Sequence, residues 1–270
     1  EVSWGYFRPT GPTLPELLKK AGYHTGMVGK WHLGFESPNI PNDRGFDFFH
    51  GFLADMMDDY WTHLRGGVNW MRRNKEMVNP KGHATEVFTR WAINYVKEQA
   101  ADKETPFFLY LAYNAPHFPI QPPKDWLDKV QAREPQLDKK RAANVAFVEH
   151  MDNEIGKFLN AVKEAGVSGN TLIIFTSDNG GSLPHGALNG QLRGGKQDHW
   201  EGGIRVPTIM RWPGKITAQS RLKMGTTTAR IVDVTDLLPT FCELAGVPTP
   251  LGVDGVSIAP TLLGVGHQRA

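Results

Sequence analysis

The chain has little cysteine, no long apolar run and almost no net charge, and each shortage excludes a class of protein. Its 270 residues include a single cysteine, Cys242, so an intrachain disulfide and a cysteine-based metal cluster are excluded. The longest apolar run, 107–113, is far shorter than the ~20 residues of a membrane-spanning helix. A net charge of +2 favours neither nucleic acid nor a membrane as the partner. We expect no membrane span and no nucleic-acid partner, and we expect Cys242 to fill the core.

What the chain does have is the composition and patterning of a globular α/β protein. Hydrophobic residues make up 40% and charged residues 21%, which is sufficient for a substantial core. Helices alternating with strands predict a mostly parallel sheet covered by helices on both faces. The predicted helices are Leu14–Ala21, His83–Gln99, Lys139–Ala165 and Asp233–Ala245, and the predicted strands are Thr25–Val28, Phe107–Ala112, Leu172–Phe175 and Val206–Trp212.

In three other segments the hydrophobic residues do not repeat with the period of a helix or of a strand. Phe46–Phe52 is rich in aromatic residues and glycine, which favours a packed loop. His50 in this loop is interpreted either as a core residue or as a functional residue. Asp55–Arg73 mixes acids, tryptophans and arginines, and we interpret it as a loop-rich wall of a substrate site. The residues after Gly246, through Ala270, are expected to form a tail.

The stretch from Thr171 to Arg205 has the strongest chemical signal. Leu172–Phe175 predicts a strand buried on both faces, as in a parallel sheet. Asp178 and Asn179 follow it and offer hard oxygen ligands, which suit Ca²⁺ or Mg²⁺ better than zinc or copper. We expect the two glycines that follow to permit the turn that brings both side chains to one cation. The competing interpretation of DNGG is an ordinary polar turn after a strand.

Polar, ionisable residues follow three predicted strands directly. In open α/β sheets ligands bind outside the carboxyl ends of the strands, so these residues are expected to form one rim. Lys30 and His32, two apart on an extended strand end, are expected to project from one face. His117 lies between two prolines that exclude a helix, and its competing interpretation is a structural or solvated loop histidine. The complete predicted rim is Lys30, His32, His117, Asp178, Asn179 and Lys196.

Such a rim suits the hydrolysis of an anionic ester. A divalent cation and the lysines neutralise oxygens on sulfur or phosphorus. A histidine protonates the departing alcohol. The residue types therefore indicate a hydrolase and leave sulfate and phosphate open.

Four ordered segments carry a resemblance to a known family. GYHTGMVGKWHLG closely resembles a signature of the sulfatases, the formylglycine-dependent branch of the alkaline phosphatase superfamily. APHFP, TSDNGG and LRGGKQDHWEGGIRVP resemble the same family in the same order and with similar spacing. The likeness covers nearly the whole chain and implies an alkaline-phosphatase-like fold and a sulfuric ester hydrolase of the arylsulfatase type.

The resemblance also implies roles for individual residues. Asp178 and Asn179 would bind Ca²⁺, or Mg²⁺ as in some members. Lys30 and His32 would support the nucleophile and the sulfate, whereas His117 and Lys196 would hold sulfate oxygens and assist departure of the alcohol. The larger predicted substrate-binding set adds two loop histidines whose competing interpretation is simple solvation: Lys30, His117, Lys196, His185 and His199.

The chain departs from the family pattern at one place that matters for chemistry. Sulfatases carry a Cys or Ser in C/S-x-P-S/A-R that is oxidised to formylglycine, and an earlier Asp pair completes the metal site. Neither appears here, since Cys242 has a different context. We therefore expect residues 1–270 to be part of a sulfatase catalytic domain, with the nucleophile segment and a C-terminal subdomain outside the chain. Alone, it is expected to have a half-built cation site and no turnover.

Two alternatives remain open at this stage. One is a phosphate or phosphonate monoester hydrolase of the same superfamily, and the other is a non-catalytic binder of sulfated glycans. The expected substrate is a sulfate ester of a small molecule or a glycan, and its alcohol is not identified by the sequence. Family resemblance implies a periplasmic, extracellular or lysosomal location.

Overall fold

The computed structural model describes residues 6, 8, 10–216, 224, 225 and 227–264. Within these ranges the helices predicted from periodicity form within a few residues of their expected bounds. The first helix begins with a capping box, in which Thr13 accepts a hydrogen bond from the Glu16 N–H and donates its own N–H to the Glu16 carboxylate. The helices are α1 (Leu14–Lys20), α2 (Ala84–Ala101), α3 (Lys124–Arg133), α4 (Lys139–Glu164), α5 (Glu201–Ile204), α6 (Leu237–Ala245) and α7 (Ala259–Leu263).

The described strands form one five-stranded sheet and two two-stranded ribbons. The five-stranded sheet has the order β6-β5-β2-β1-β7, in which β1 runs parallel to β2 and β7 while β5 and β6 are antiparallel. The ribbons are β3 with β4 and β8 with β9, both antiparallel. The strands are β1 (His24–Lys30), β2 (Phe48–Phe52), β3 (Leu64–Arg65), β4 (Val68–Asn69), β5 (Met71–Arg73), β6 (Glu76–Met77), β7 (Phe107–Ala112), β8 (Ile173–Thr176) and β9 (Thr208–Arg211).

Helices cover both faces of the five-stranded sheet, as the alternating pattern predicts. Val28 points into the core cluster that includes Trp91 of α2, and α4 and α3 stack outside α2. On the other face Met27 joins a second cluster, where Phe108 packs 5.9 Å from Phe241 of α6. The predicted α/β class, with a mostly parallel central sheet between helices, is confirmed.

A close backbone approach holds the central strands together. Gly29 on β1 has φ +111°, and a Cβ placed there would lie 2.0 Å from the Ala112 carbonyl oxygen of β7. Any larger residue would push the two strands apart. The carboxyl ends of β1 and β7 are therefore held side by side, and the functional residues follow those ends.

Several sequence-based expectations were wrong. Phe46–Phe52 contains strand β2, because alternate burial of FFHGF between β1 and β5 outweighs its glycine. The strand predicted at Leu172–Phe175 forms as β8 but is not buried on both faces. In the described ranges it pairs only with β9, and Phe175 is 37% exposed. An apolar run predicts an extended backbone and cannot specify how many neighbours the strand finds.

Two further segments differ from expectation. Phe107–Ala112 is partly buried, with Tyr110 50% exposed, because β7 is an edge strand among the described strands. The expected tail instead packs on α6: Ile258 is buried, and its N–H donates to Thr240 Oγ1 at 2.9 Å. The last six residues of that tail lie outside the described part. Cys242 is fully buried, as expected of a core residue.

Candidate functional site

Lys30 and His32 lie where β1 ends. The strand stops at Lys30, and backbone N–H groups of the next two residues donate to Phe52 and Leu53 of the neighbouring segment at 2.9 and 3.0 Å. His32 has φ +62°, so it is not on an extended strand end, and the expectation of a shared strand face was wrong. A left-handed non-glycine residue is strained and is held only by its surroundings. Here the two backbone hydrogen bonds hold it.

His117 follows β7 in a backbone fixed by hydrogen bonds. Its N–H donates to Asn114 O at 2.8 Å, and Tyr60 Oη donates to His117 O at 3.0 Å. Its Nδ1 lies 2.7 Å from Phe118 O, and because a carbonyl only accepts, Nδ1 carries the proton. Nε2 is therefore the ring atom left for a ligand.

The DNGG segment packs against the EGG segment of α5. A Cβ at Gly180 would lie 1.8 Å from Gly202 O, and the Gly180 N–H donates to Gly203 O at 2.8 Å. Neither Gly180 nor Gly181 has a positive φ. The chain bends at Asp178 and Asn179, and the contribution of the two glycines to that turn stays a prediction. Gly180 in addition permits close contact between two backbone segments.

The loop that carries Lys196 is fastened at several points that sequence reasoning missed. The Lys196 N–H donates to Gly181 O at 3.0 Å, and the Gly195 N–H donates to the Asp198 carboxylate at 2.8 Å. The Arg193 guanidinium lies 3.6 Å from the centroid of the Trp200 ring, a close cation–π contact. Asp198 thus has a structural role in the loop. The only sequence signal for this fastening was the unusual density of glycine and charge around Trp200.

Electrostatic interactions show which predicted residues meet. Burial lowers the pKa of Lys30, the Asp178 carboxylate raises it, and Lys196 lowers it. Burial also lowers the pKa of His117, with further lowering by Lys196 and Lys30 and an opposing effect of Asp178. Burial, Lys30 and Lys196 lower the pKa of His32. Residues distant in sequence therefore lie close enough to act on one another's charges.

Asp55 adds a negative charge that sequence reasoning had not singled out. Arg65 donates to both of its carboxylate oxygens at 2.9 and 3.1 Å, and Asp55 raises the pKa of Lys30 and of His32. The segment 55–73 is more ordered than predicted, since it contains β3, β4 and β5. One end of this segment therefore borders the cluster.

The two loop histidines have different surroundings. His185 lies against Phe118, the residue after His117, with ring centroids 4.8 Å apart. His199 is exposed on the Lys196 loop, and no hydrogen bond of the described residues involves it. The structure therefore brings His185 next to the cluster and gives no contact that ties His199 to it.

Asp178 and Asn179 have the chemistry of part of a hard-cation site. Within the described ranges the Asp178 carboxylate takes part in no hydrogen bond or ion pair, although three cationic or titratable neighbours interact with it. The Asn179 amide donates to Gly180 O at 2.8 Å, which leaves its Oδ1 free. Two free oxygen donors fit Ca²⁺ or Mg²⁺. No group of three or more His, Cys, Asp or Glu placed to hold a metal occurs in the described part of the chain.

The arrangement can bind a tetrahedral oxyanion beside a proton-transfer group. Lys30 and Lys196 carry positive charge, His117 offers Nε2, and Asp178 and Asn179 offer oxygen to a cation. In partly buried surroundings these charges act more strongly than in water.

No helix in the described ranges is long and apolar enough to cross a bilayer.

Comparisons with known proteins point to one family. A family model described as Sulfatase matches residues 4–247. N-acetylgalactosamine-6-sulfatase of Homo sapiens is 34% identical over 268 residues, which is 93% of this chain and 48% of that protein. Arylsulfatase J of Mus musculus is 34% identical over 94% of this chain and 44% of that protein. The chain thus spans about half the length of the curated relatives it matches.

Solved structures agree in fold. The crystal structure of Ps i-CgsB in complex with k-i-k-neocarrahexaose superposes with a TM-score of 0.82 at 34% identity, covering 92% of this chain and 56% of that one. The structure of BT4656 with D-glucosamine-2-N,6-O-disulfate has a TM-score of 0.72 at 23% identity, a likeness of fold alone.

Proposed function

This chain belongs to the sulfatase family, and from that membership we propose that the protein is a sulfuric ester hydrolase. The observation that carries the proposal is the convergence of Lys30, His32 and His117 with Lys196 and Asp178, whose charges act on the pKa values of the first three. These residues follow the ends of β1, β7 and β8 or lie in the loop after β8. They form a cationic site suited to a sulfate group.

Each of the candidate site residues has a distinct proposed role. The Lys30 and Lys196 ammonium groups neutralise sulfate oxygens as charge builds on them. Nδ1 of His117 is committed to Phe118 O, so Nε2 is the atom that donates a proton to the departing alcohol oxygen. The negative charge of a bound sulfate ester opposes the two lysines and raises the pKa of His117. His117 therefore takes up its proton when the substrate binds. His32 is held beside Lys30 and supports the nucleophile.

Two groups outside the chain complete the chemistry. Asp178 and Asn179 would hold Ca²⁺, or Mg²⁺, which supplies charge neutralisation at the sulfate. A formylglycine outside residues 1–270 would supply the nucleophile for the sulfur. Residues 1–270 therefore provide the oxyanion and proton-transfer half of the site, and we expect them to be inactive when isolated.

The substrate proposed is a sulfated carbohydrate. One similar protein is named N-acetylgalactosamine-6-sulfatase, and the similar structure of Ps i-CgsB is a complex with k-i-k-neocarrahexaose. An aryl sulfate serves as the general test substrate. In keeping with a sulfatase, we propose a periplasmic, extracellular or lysosomal location for the whole protein.

The test is sulfate release by the full-length protein. Wild type is expected to hydrolyse 4-nitrophenyl sulfate faster than 4-nitrophenyl phosphate, and Asp178→Ala and Lys196→Ala are each expected to abolish release. Lys97→Ala and Asp152→Ala, exposed on α2 and α4, are the matched controls and should remain active. Preferred cleavage of the phosphate would establish the phosphohydrolase alternative. Glycan binding without turnover would establish a non-catalytic binder.

A further inference from the structure

Two rings lie against each other beside His117 and face solvent. The centroids of Phe118 and His185 are 4.8 Å apart and their planes are tilted by 36°. Phe118 is 48% exposed, although its side chain is wholly apolar. A large exposed aromatic residue next to a proposed proton donor indicates a surface that a ligand covers.

The His185 ring is held in place by contacts outside the pair. His185 Nδ1 lies 2.8 Å from Ser182 Oγ. The backbone of its loop docks on the start of α4, where Lys140 donates to Pro184 O at 3.4 Å and Arg141 donates to Gly186 O at 3.1 Å. The ring of His185 is therefore positioned before any ligand arrives, which lowers the entropic cost of binding.

A third apolar side chain extends this surface towards Lys196. Leu183 is 48% exposed, and a Cβ placed at Gly195 would lie 2.9 Å from its Cγ. Leu183 therefore lies against the loop that carries Lys196. Together, Phe118, His185 and Leu183 form what we call the apolar rim, which runs from His117 to the lysine loop.

We infer that the apolar rim is the subsite for the sugar ring that carries the sulfate ester. A pyranose has an apolar C–H face that packs on aromatic rings and polar edges that hydrogen-bond. Phe118 supplies the aromatic face, and Nε2 of His185, which has no hydrogen-bond partner among the described residues, supplies a polar contact for a hydroxyl. This inference rests on the proposed function and adds residues that select the alcohol.

The geometry separates this role from sulfate binding. The three rim side chains carry no lysine or arginine charge, and the neighbouring Lys140 and Arg141 donate to backbone carbonyls of the His185 loop. The proposed sulfate contacts are instead Lys30 and Lys196. Removing the Phe118 ring should therefore weaken binding of the sugar and leave binding of inorganic sulfate unchanged. A ring-to-ring contact of this kind accounts for a roughly three- to tenfold change in binding.

The test uses the full-length enzyme with N-acetylgalactosamine 6-sulfate and a carrageenan hexasaccharide as probes. Phe118→Ala and His185→Ala are expected to raise KM for at least one probe roughly three- to tenfold, with kcat within about twofold. The inhibition constant of inorganic sulfate should not change. Phe118→Tyr, which keeps the ring, should restore the wild-type KM. Met77→Ala, an exposed apolar residue on β6 at the opposite edge of the sheet, is the matched control.

Several outcomes would overturn the inference. An unchanged KM in Phe118→Ala would do so, as would equal changes in KM and in the sulfate inhibition constant, which would indicate damage to His117. Hydrolysis of 4-nitrophenyl sulfate without hydrolysis of either sugar would overturn the sugar subsite and the proposed carbohydrate substrate, and would leave the proposed sulfuric ester hydrolase activity intact. No hydrolysis of any sulfate ester would refute the proposed function itself.

Discussion

His83 gives the chain a defined sensitivity to acid. It is fully buried and is the N-cap of α2, where its Nδ1 accepts a hydrogen bond from the Thr85 N–H at 3.3 Å. Its Nε2 lies 3.0 Å from Gln121 O and therefore donates. A neutral imidazole satisfies both contacts, whereas a protonated ring has no acceptor for Thr85. Protonation therefore removes the cap of a central helix.

The surroundings of the ring oppose protonation further. Burial lowers the pKa of His83 to about 4, and the nearby His150 and His63 lower it as well, while the hydrogen bond to Gln121 and the charge of Glu86 act in the opposite direction. The ring stacks on Tyr60 with centroids 5.3 Å apart, and its centroid lies 4.8 Å from that of His150 on α4. No water reaches the ring to solvate a charge.

The magnitude follows from linkage. The pKa of an unfolded histidine is about 6.5, so as pH falls the unfolded chain takes up the proton first and unfolding becomes more favourable. The stability due to neutral His83 is complete above the unfolded pKa and is lost progressively down to the folded value. Between pH 7 and pH 5 this one residue lowers the free energy of unfolding by about 2 kcal/mol.

The assay compares wild type with His83→Asn in the full-length protein. Asparagine can accept from the Thr85 N–H and does not titrate, so the variant should lose about 2 kcal/mol less than wild type between pH 7 and pH 5. Urea unfolding followed by tryptophan fluorescence at both pH values gives the two differences. Exposed His199→Asn is the matched control. His50, whose pKa burial lowers to about 3, contributes equally to both proteins and cancels. Equal pH dependence of wild type and His83→Asn would refute the reasoning.

Four further predictions follow from the site. Trp200→Ala removes the ring on which Arg193 stacks, and kcat should fall by at least roughly tenfold through misplacement of the lysine loop, while Trp200→Phe stays near wild type; equal activity of both variants would contradict this. Gly180→Ala should lower the free energy of unfolding by about 1–3 kcal/mol in urea titration because its Cβ meets backbone, and an unchanged midpoint would count against the close packing. The reaction requires a proton on His117, whose pKa is below the ordinary histidine value. The value of kcat/KM should therefore fall as pH rises through that lowered pKa, and an increase of kcat/KM in that pH range would exclude His117 as the proton donor. Asp178→Ala should lose Ca²⁺ binding measured by calorimetry, whereas retained affinity would exclude Asp178 as a ligand.

Local patterns predicted much of the fold. The apolar residues of α4 at spacings of three and four, the amphipathic pattern of α1 closed by Gly22 and the apolar run of β7 each specify an element from neighbours in sequence. α3 was not predicted: it follows prolines, and Val130, fully buried, is the one buried residue that marks its inner face. β2 was not predicted, because the aromatic segment Phe46–Phe52 contains a glycine and was interpreted as a packed loop.

The sequence nominated the residues of the candidate site, whose roles stay predictions, and it did not indicate how those residues are held. The order of polar residues after predicted strands nominated Lys30, His117 and Asp178. β1 and β7 are parallel neighbours whose carboxyl ends lie at one edge, whereas β8, which precedes Asp178, pairs only with antiparallel β9 among the described strands. The left-handed conformation of His32 and the contact of Phe118 with His185 depend on segments far apart in the chain. No local pattern encodes such contacts.

The sequence by itself determined the family, the α/β class and the residue types of the site, since these depend on composition, period and motif order. Only the tertiary structure decided that Gly180 serves close packing, that Arg193 and Trp200 fasten the lysine loop, and that His83 is sealed from water. The physical reason is that burial and contact are properties of pairs of distant segments, and one residue's sequence neighbours do not specify its neighbours in space.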